Sequence, residues 1–247
     1  MIEGTFVING VTGSIGSALA NSICEKGGKV IGIGRSASEL EKLNTKLSNF
    51  VPYKIQDVAS SGEAVSFLEF IRNNYGEEIK SYVHLAGMFA RELAPISENT
   101  DIWDATIATN LTGTYVWNKV FVDYFSKAGI AGSIVNTASQ AAYTGGFGPN
   151  ISYAASKGGI ISLSKSLSRY AAQFDIRVNV VVPGFVENDM MLTGLTKEQK
   201  DFFIEKTSLK RLASDQEVAQ ACFFLASDDS TYSTGITLDV SGGLLDV

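Results

Sequence analysis

The sequence predicts an α/β fold, in which one doubly wound parallel sheet carries helices on both faces. Short runs rich in β-branched residues alternate with longer segments whose apolar residues recur at helical spacing. The short runs are apolar at nearly every position, as in strands that are covered on both faces. No internal repeat, linker or low-complexity tract divides the 247 residues, so we expect a single domain over residues 1–247.

Strands and helices are expected to alternate along the chain. The predicted strands cover residues 5–9, 29–33, 50–55, 81–85, 133–137, 176–182 and 236–240. The predicted helices begin near Ile15, pass through Leu40 and Leu43 and through Val65 to Leu68, extend from Trp103 to Phe125, and follow Tyr153. This order is typical of a parallel sheet whose crossovers are helices.

Composition excludes several classes of function. A net charge of −6 and a pI near 4.9 argue against a nucleic-acid partner or an anionic membrane surface. No apolar run approaches the roughly 20 residues of a membrane helix, and the N-terminus lacks a basic region, so we expect no signal peptide and a cytoplasmic location. Cys24 and Cys222 have no metal-ligand spacing and are expected to be buried thiols in a reducing compartment.

His84 is the only histidine, which argues against histidine-based metal sites and Ser-His-Asp triads, and no metal is expected. Its position at the end of a predicted strand favours a structural or cofactor-contacting role over direct catalysis.

A glycine-rich turn follows the first predicted strand and opens a helix. It contains Gly10, Gly13, Ser14, Ile15 and Gly16. In this context glycines let the backbone approach a pyrophosphate at the helix N-terminus, whereas the same glycines elsewhere can mean only tight packing. Its place after the first strand of an alternating chain favours a Rossmann-type dinucleotide site.

The end of the second predicted strand bears on the choice of dinucleotide. An acidic side chain there would bind the ribose 2′-hydroxyl, but the chain has Gly34 followed by Arg35, whose guanidinium suits a 2′-phosphate. The sequence therefore favours NADP(H) over NAD(H), the alternative being that Arg35 is a solvated charge. Asp57 and Val58, after the third strand, could frame the adenine, or Asp57 could be a helix cap.

Tyr153 and Lys157 are four residues apart in a predicted helix, and so lie on one face. An ammonium near a phenol favours the phenolate and lowers the pKa of the tyrosine from about 10. The pair could then exchange a proton with an alcohol or carbonyl oxygen near neutral pH. Taken alone, the pair is much more typical of a surface helix with a half-buried tyrosine, so the other motifs must decide.

Several further motifs occur in a fixed order along the chain: 83–87 (Val-His-Leu-Ala-Gly), 110–113 (Asn-Leu-Thr-Gly), 132–139 (Gly-Ser-Ile-Val-Asn-Thr-Ala-Ser), the Tyr153–Lys157 pair, 176–184, Arg211-Leu212 and the glycines from 235 to 243. In this order they resemble the short-chain dehydrogenase/reductase superfamily over essentially the whole chain. The resemblance implies a single-domain oxidoreductase that uses a nicotinamide dinucleotide.

The resemblance also implies roles for individual residues. Tyr153 would be the general acid in reduction and the base in oxidation, and Lys157 would lower its pKa and hold the nicotinamide ribose. Ser139 would hydrogen-bond the substrate oxygen, and Asn110 would hold a water that links Lys157 to solvent. The implied cofactor contacts are Gly10, Gly13, Ser14, Ile15, Gly16, Arg35, Asp57, Val58, Ala86, Gly87, Tyr153, Lys157, Pro183, Gly184, Val186 and Asn188.

The chain departs from the single-domain pattern at several positions. Ser14 replaces a glycine of the first turn, Asn188 replaces a threonine, and Gly13 stands where many NADPH users carry a basic residue. The spacing of the glycines resembles the extended branch, which includes enzymes that modify nucleotide sugars. However, the chain is too short for that branch's substrate domain, so we place it in the single-domain branch.

The substrate is expected to be a medium-sized ketone or secondary alcohol in a mixed pocket. The residues expected to line this pocket are Gln140, Tyr143, Phe147, Asn150, Met190 and Met191, with Met88 and Phe89 on the other wall and residues 185–205 as a lid. The nearest overall resemblance is to 3-oxoacyl-acyl-carrier-protein reductases. Where those enzymes offer basic residues to the acidic carrier, this chain has Ile130 and Phe174, so reduction of a free carbonyl compound ranks first.

Two other functions remain as alternatives on the same fold: a nucleotide-sugar-modifying enzyme and a noncatalytic nucleotide-sensing protein. The resemblance further implies a homotetramer in which the helices near 103–125 and 152–174 pair between subunits.

Overall fold

All seven strands form one parallel sheet in the computed structural model, which describes residues 4–75, 79–89, 100–148 and 150–245. The strands are β1 (Thr5–Asn9), β2 (Lys29–Gly34), β3 (Phe50–Lys54), β4 (Ile79–His84), β5 (Ser133–Thr137), β6 (Arg177–Pro183) and β7 (Thr237–Val240). Their order in the sheet is β3-β2-β1-β4-β5-β6-β7. The predicted doubly wound, Rossmann-type single domain is confirmed.

The helices follow the predicted alternation. They are α1 (Ser14–Glu25), α2 (Ala37–Lys46), α3 (Ser61–Tyr75), α4 (Asp101–Thr106), α5 (Gly113–Ala128), α6 (Ala141–Thr144), α7 (Ile151–Ala171), α8 (Asp189–Leu192), α9 (Lys197–Lys206) and α10 (Asp215–Ala226). Two 3₁₀ turns cover Ala172–Phe174 and Asp228–Ser230. The long helix predicted from Trp103 to Phe125 contains a π-helical segment, Ile107–Thr112, between α4 and α5. Such a segment often marks a functional site, and this one carries Asn110.

Apolar side chains fill both faces of the sheet. Within β1, Val7 faces the cluster that includes Trp117 and Phe121 of α5, whereas Phe6 and Ile8 face the cluster of α1 and α10. On the α5 face, Tyr82 stacks on Phe121 with ring centroids 4.0 Å apart. Burial on both faces explains why the strands are apolar at consecutive positions.

The strand order reverses between β1 and β4, because β2 and β3 extend to one side and β5 to β7 to the other. Open α/β sheets bind ligands beyond the carboxyl ends of the strands at such a point. Here the two strand ends lie side by side, since Asn9 pairs with His84 and its carbonyl accepts from the Leu85 N–H at 2.8 Å.

Both cysteines are free and buried, as predicted. Burial raises the pKa of Cys24 to about 11 and that of Cys222 to about 12, so neither thiol ionises readily. In the described ranges, the helices are too short or too polar to cross a membrane. Over the same residues, no three His, Cys, Asp or Glu side chains cluster as metal ligands would.

Candidate active site

Tyr153 and Lys157 project from the first two turns of α7 toward the end of β5. The Tyr153 side chain lies near enough to Ser139, two residues after β5, for the serine hydroxyl to oppose the rise of the Tyr153 pKa. Lys157 Nζ donates to the Thr137 carbonyl at 2.9 Å and lies 5.6 Å from the centre of the Tyr153 ring. The three side chains that the sequence grouped by motif are therefore neighbours in space.

Burial dominates the ionisation of this pair. Loss of hydration raises the pKa of Tyr153 above 10.0, although the hydrogen bond to Ser139 opposes the rise. Loss of hydration also lowers the pKa of Lys157, to about 8. The expected lowering of the Tyr153 pKa by Lys157 is therefore not found, because the cost of burying a phenolate dominates. At neutral pH the phenol keeps its proton.

Asn110 joins three elements around the site. Its Oδ1 accepts from the Met88 N–H at 2.8 Å, and its Nδ2 donates to the Met88 carbonyl at 3.0 Å and to Ser156 Oγ at 3.0 Å. Gly87 passes close to Asn110 and Lys157, because a Cβ there would lie 3.2 Å from Asn110 Oδ1 and 3.6 Å from Lys157 Nζ. The buried amide thus fixes the segment after β4 against α7.

His84 takes part in a buried chain of hydrogen bonds behind these residues. Asn9 Nδ2 donates to the Tyr82 hydroxyl at 3.3 Å, and that hydroxyl lies 2.5 Å from His84 Nδ1. A hydroxyl that accepts from Asn9 is free to donate to the histidine, which leaves the proton of a neutral imidazole on Nε2. Burial, reinforced by the charge of Lys157, lowers the pKa of His84 to about 3. These contacts make the role of His84 structural.

The glycine-rich turn fits a dinucleotide pyrophosphate. Gly10 has φ +86°, and a Cβ there would lie 2.5 Å from the Ala86 backbone nitrogen. Gly16 lies against the turn itself, since its Cβ would meet the Gly10 carbonyl oxygen at 2.4 Å. Gly13 is exposed, and a Cβ there would meet only the Gly10 carbonyl oxygen, at 3.4 Å. The turn therefore presents bare backbone at the N-terminus of α1, as anion binding there requires.

The end of β2 is closely packed at Gly34, directly before Arg35. A side chain at position 34 would lie 2.8 Å from Thr12 Cγ2, which accounts for Gly34. Ser36 caps α2 by accepting from the Glu39 N–H at 3.3 Å. Arg35 is exposed, and over the described residues it has no hydrogen bond or ion pair that would hold it elsewhere.

Comparison with known proteins decides the family. Residues 10–245 match the family described as Enoyl-(Acyl carrier protein) reductase. The chain is 35% identical over 238 residues to the 3-oxoacyl-[acyl-carrier-protein] reductase FabG of Haemophilus influenzae, covering 96% of both chains. It is 34% identical to FabG of Escherichia coli, again over 96% of both, and 32% identical to FabG of Thermotoga maritima over 97% of this chain and 96% of the relative.

The chain belongs to the short-chain dehydrogenase/reductase superfamily. It is therefore an oxidoreductase that uses a nicotinamide dinucleotide to interconvert a ketone and a secondary alcohol. The near-complete coverage of single-domain relatives supports the single-domain branch, so the glycine spacing that resembled the extended branch is a variant of the first turn.

Two of the predicted adenine contacts have other partners in this superfamily member. Asp57 Oδ1 accepts from the Ala59 N–H at 2.9 Å, so its carboxylate closes a local turn, close to the predicted alternative of a cap. Val58 is buried against Gly113, and its carbonyl accepts from Trp117 Nε1 at 2.9 Å. The Val58 side chain therefore belongs to the core, and a contact of its backbone with an adenine stays a prediction.

Strand β6 ends at Pro183, and the segment that follows it begins at Gly184. Gly184 is required there, because a Cβ would lie 2.7 Å from Ser241 Cα. Val186 is buried and forms a single bridge with Ala213. The segment thus reaches Asn188, the cap of α8, already anchored to the fold.

Three contacts of this region were not foreseen. The Asn188 side chain accepts from the Met191 N–H at 3.2 Å and donates to Asp215 Oδ1 at 3.0 Å. The same Asp215 oxygen accepts from Ser14 Oγ at 2.7 Å. No motif in the sequence points to Asp215, because its partners are distant along the chain.

The residues proposed for the substrate pocket divide into exposed and buried members. Tyr143, Phe147 and Met190 are exposed and Met191 is partly exposed. Gln140 and Asn150 are buried, and Gln140 Oε1 accepts from Thr144 Oγ1 at 2.6 Å. Neither buried amide is freely presented to a substrate. Across the site, Phe89 packs edge-on against the Tyr153 ring at 5.0 Å between centroids.

An aromatic cluster joins the loop after α6 to the predicted lid. Phe147 lies 5.6 Å from Phe185, 6.0 Å from Phe202 and 6.2 Å from Phe203, measured between ring centroids. We call these four residues the aromatic cluster. It offers an apolar wall on the lid side of the site.

Proposed function

We propose that the protein reduces the ketone of an apolar, medium-sized substrate, with Asn110, Ser139, Tyr153 and Lys157 as its catalytic tetrad. The observation that carries the proposal is the proximity of Ser139, Tyr153 and buried Lys157, whose Nζ lies 5.6 Å from the centre of the Tyr153 ring. Two hydroxyl groups that meet at one point can both address a single oxygen atom, as a developing alkoxide requires.

The ionisation of the site suits reduction. When bound, the nicotinamide cofactor supplies the hydride. Tyr153 holds its proton because burial raises its pKa, and it can donate that proton to the substrate oxygen. Ser139 Oγ accepts from the Ala141 N–H at 3.2 Å, which leaves its own hydrogen free to donate to the same oxygen. Lys157, fixed through the Thr137 carbonyl, has further protons for the ribose hydroxyls.

Replacement of Tyr153 by Phe tests this assignment. We expect turnover to fall by about 10²-fold or more, the range for a lost general acid, while NADPH still binds. Tyr170→Phe is the matched control, because Tyr170 is an exposed tyrosine on the same helix. Equal activity of Tyr153→Phe and Tyr170→Phe would refute the role of Tyr153.

The preference for NADP(H) is assigned to Arg35. Its exposed guanidinium, without a competing partner over the described residues, stands beside the capped N-terminus of α2. Arg35→Ala should weaken NADPH binding by roughly tenfold or more, as for one charge-assisted contact, and leave NADH binding unchanged. Lys46→Ala removes a charge from the far end of the same helix and serves as control. An unchanged ratio of NADPH to NADH affinity in Arg35→Ala would remove the argument.

The aromatic cluster and Phe89 support an apolar substrate. A free ketone of this kind is the first candidate, and a 3-oxoacyl group carried by an acyl-carrier protein is the second, because the relatives above bear that name. Ile130 and Phe174 pack partly buried against the core, so basic residues for an acidic carrier are missing at these two places.

A substrate comparison separates these candidates. The kcat/KM should be compared for three substrates: a ketone ester, a 3-oxoacyl thioester of a pantetheine fragment, and the same acyl group on carrier protein. An enoyl thioester tests in addition whether the protein reduces a C=C bond. We expect the carrier to add little to kcat/KM. A gain of about 10²-fold or more from the carrier would favour the second candidate instead.

Self-association as a homotetramer is part of the proposal. Ile102, Trp103 and Tyr115 are large apolar residues exposed on α4 and α5, where the family resemblance implies pairing between subunits. Light scattering should give four times the mass of the 26.4 kDa chain, and a monomer at micromolar concentration would refute the proposal.

A further inference from the structure

Asp215 connects the cofactor turn to the start of the predicted lid. Its Oδ1 accepts from Ser14 Oγ at 2.7 Å and from Asn188 Nδ2 at 3.0 Å. Ser14 is the first residue of α1, where the glycine-rich turn ends, and Asn188 caps α8. One carboxylate oxygen therefore bridges two regions that are 174 residues apart in sequence (188 minus 14).

The carboxylate is held by a part of the fold that lies outside the lid. Asp215 is the first residue of α10, whose N-terminus is closed by a capping box between Ser214 and Glu217. Gln216 Nε2 donates to Ser22 Oγ at 2.7 Å, which attaches the same turn of α10 to α1. The position of Asp215 relative to α1 is thus fixed by contacts that do not involve residues 185–205.

The lid depends on this anchor more than α1 does. Helix α8 has four residues, too few to be stable without tertiary contacts. Its cap, Asn188, has both ends of its amide engaged: the oxygen with the Met191 N–H and the nitrogen with Asp215. The direction in which α8 leaves the site is therefore set through Asp215.

We infer that Asp215 is a positioning residue that couples dinucleotide binding at the glycine turn to the placement of residues 185–205 over the substrate. The inference rests on the proposed cofactor site. A pyrophosphate at the N-terminus of α1 competes for the Ser14 hydroxyl and repels a neighbouring carboxylate. Asp215 responds to both effects and is in direct contact with Asn188. Binding of the dinucleotide at the glycine turn therefore changes the position of the lid through this one side chain.

Tryptic cleavage of α9 in the intact protein tests the coupling, because Lys197 and Lys200 are cleavage sites within the lid and Lys206 follows it directly. In the wild type, saturating NADPH should slow this cleavage by about fivefold or more, the lower end of typical coupling energies. In Asp215→Ala the protection should disappear and the KM of the ketone should rise, while NADPH still binds and kcat is retained. Asp215→Asn should restore the KM and part of the protection, since an amide oxygen accepts the same two hydrogen bonds but carries no charge for the pyrophosphate to repel.

Two further variants make the test decisive. Gln216→Ala removes the neighbouring contact to α1 but none to the lid, and should keep wild-type protection. Ser14→Ala removes one exposed hydroxyl and should reduce protection even if Asp215→Ala fails to fold. Full protection in Asp215→Ala or in Ser14→Ala, or an equal loss in Gln216→Ala, would overturn the coupling alone. Absence of NADPH binding to the wild type would overturn the proposed cofactor site as well.

Discussion

The pH dependence of folding can be traced to one imidazole. His84 is buried, and its pKa is lowered from 6.5 to about 3. A base whose pKa is lower in the folded state binds its proton first in the unfolded chain. Above pH 6.5 the imidazole is neutral in both states, so its ionisation does not change the free energy of unfolding. Below pH 6.5 the unfolded chain binds the proton, and the free energy of unfolding falls as the pH decreases.

The size of the effect follows from the two pKa values. Between about pH 7.5 and about pH 5.5, protonation of the unfolded chain at 6.5 costs the folded state about 1.4 kcal/mol. Lower pH would enlarge the loss but approaches the pI near 4.9, where the protein is least soluble. We therefore expect the difference in unfolding free energy between the wild type and His84→Asn to change by about 1.4 kcal/mol over this interval.

Urea denaturation of both proteins at the two pH values measures this difference. Because the chain has one histidine, its imidazole resonance can also be followed directly by NMR in the folded protein. It should not titrate between these pH values. A midpoint near 6.5, or a difference between the two proteins that does not vary with pH, would refute the burial argument.

Three further predictions concern the glycine turn, Lys157 and the lid. Gly10→Ala should abolish NADPH binding, because its Cβ would meet the Ala86 nitrogen at 2.5 Å. Gly129→Ala is the control: it has open space around it and should lower the free energy of unfolding in urea by only about 1 kcal/mol. As the pH falls from 10.5 to about 8, the unfolded chain binds a proton at Lys157 before the folded protein does, so the wild type loses stability. The free energy of unfolding of Lys157→Met should therefore rise by about 3 kcal/mol relative to the wild type over this interval. A difference between the two proteins that does not vary with pH would contradict this. Phe147→Ala should raise the KM of apolar ketones with little change in kcat, and an effect on kcat alone would count against the aromatic wall.

Much of the framework was predictable from the sequence because its signals are local. The bounds of β1 and β5 were predicted to the residue, since apolar runs end abruptly at glycine or small polar residues. The neighbourhood of Tyr153 and Lys157 followed from helical spacing. The place of Ser139 beside them was implied by the family resemblance.

The properties that could not be predicted depend on tertiary structure. The pKa of Tyr153 is governed by burial, which no spacing of residues reveals. The π-helical turn at Ile107–Thr112 has no sequence signal, because it depends on how the carbonyls of that turn meet their neighbours. The bridge at Asp215 joins Ser14 across 201 residues, and a lone aspartate at a helix start reads as ordinary capping chemistry.

Buried amides account for the precision of the site better than apolar packing does. Asn118 and Asn136 donate to each other at 2.8 Å in both directions, and Asn136 also donates to Ser164 at 2.9 Å. Apolar contacts fix how far α5 and α7 lie from β5 but tolerate sliding along the helix axes, whereas hydrogen bonds of this kind are satisfied in one register only. The register matters because Tyr153 must meet Ser139, which follows the strand that carries Asn136. The hydrogen bonds among Asn118, Asn136 and Ser164 therefore matter to the proposed catalytic arrangement as much as the four tetrad residues do.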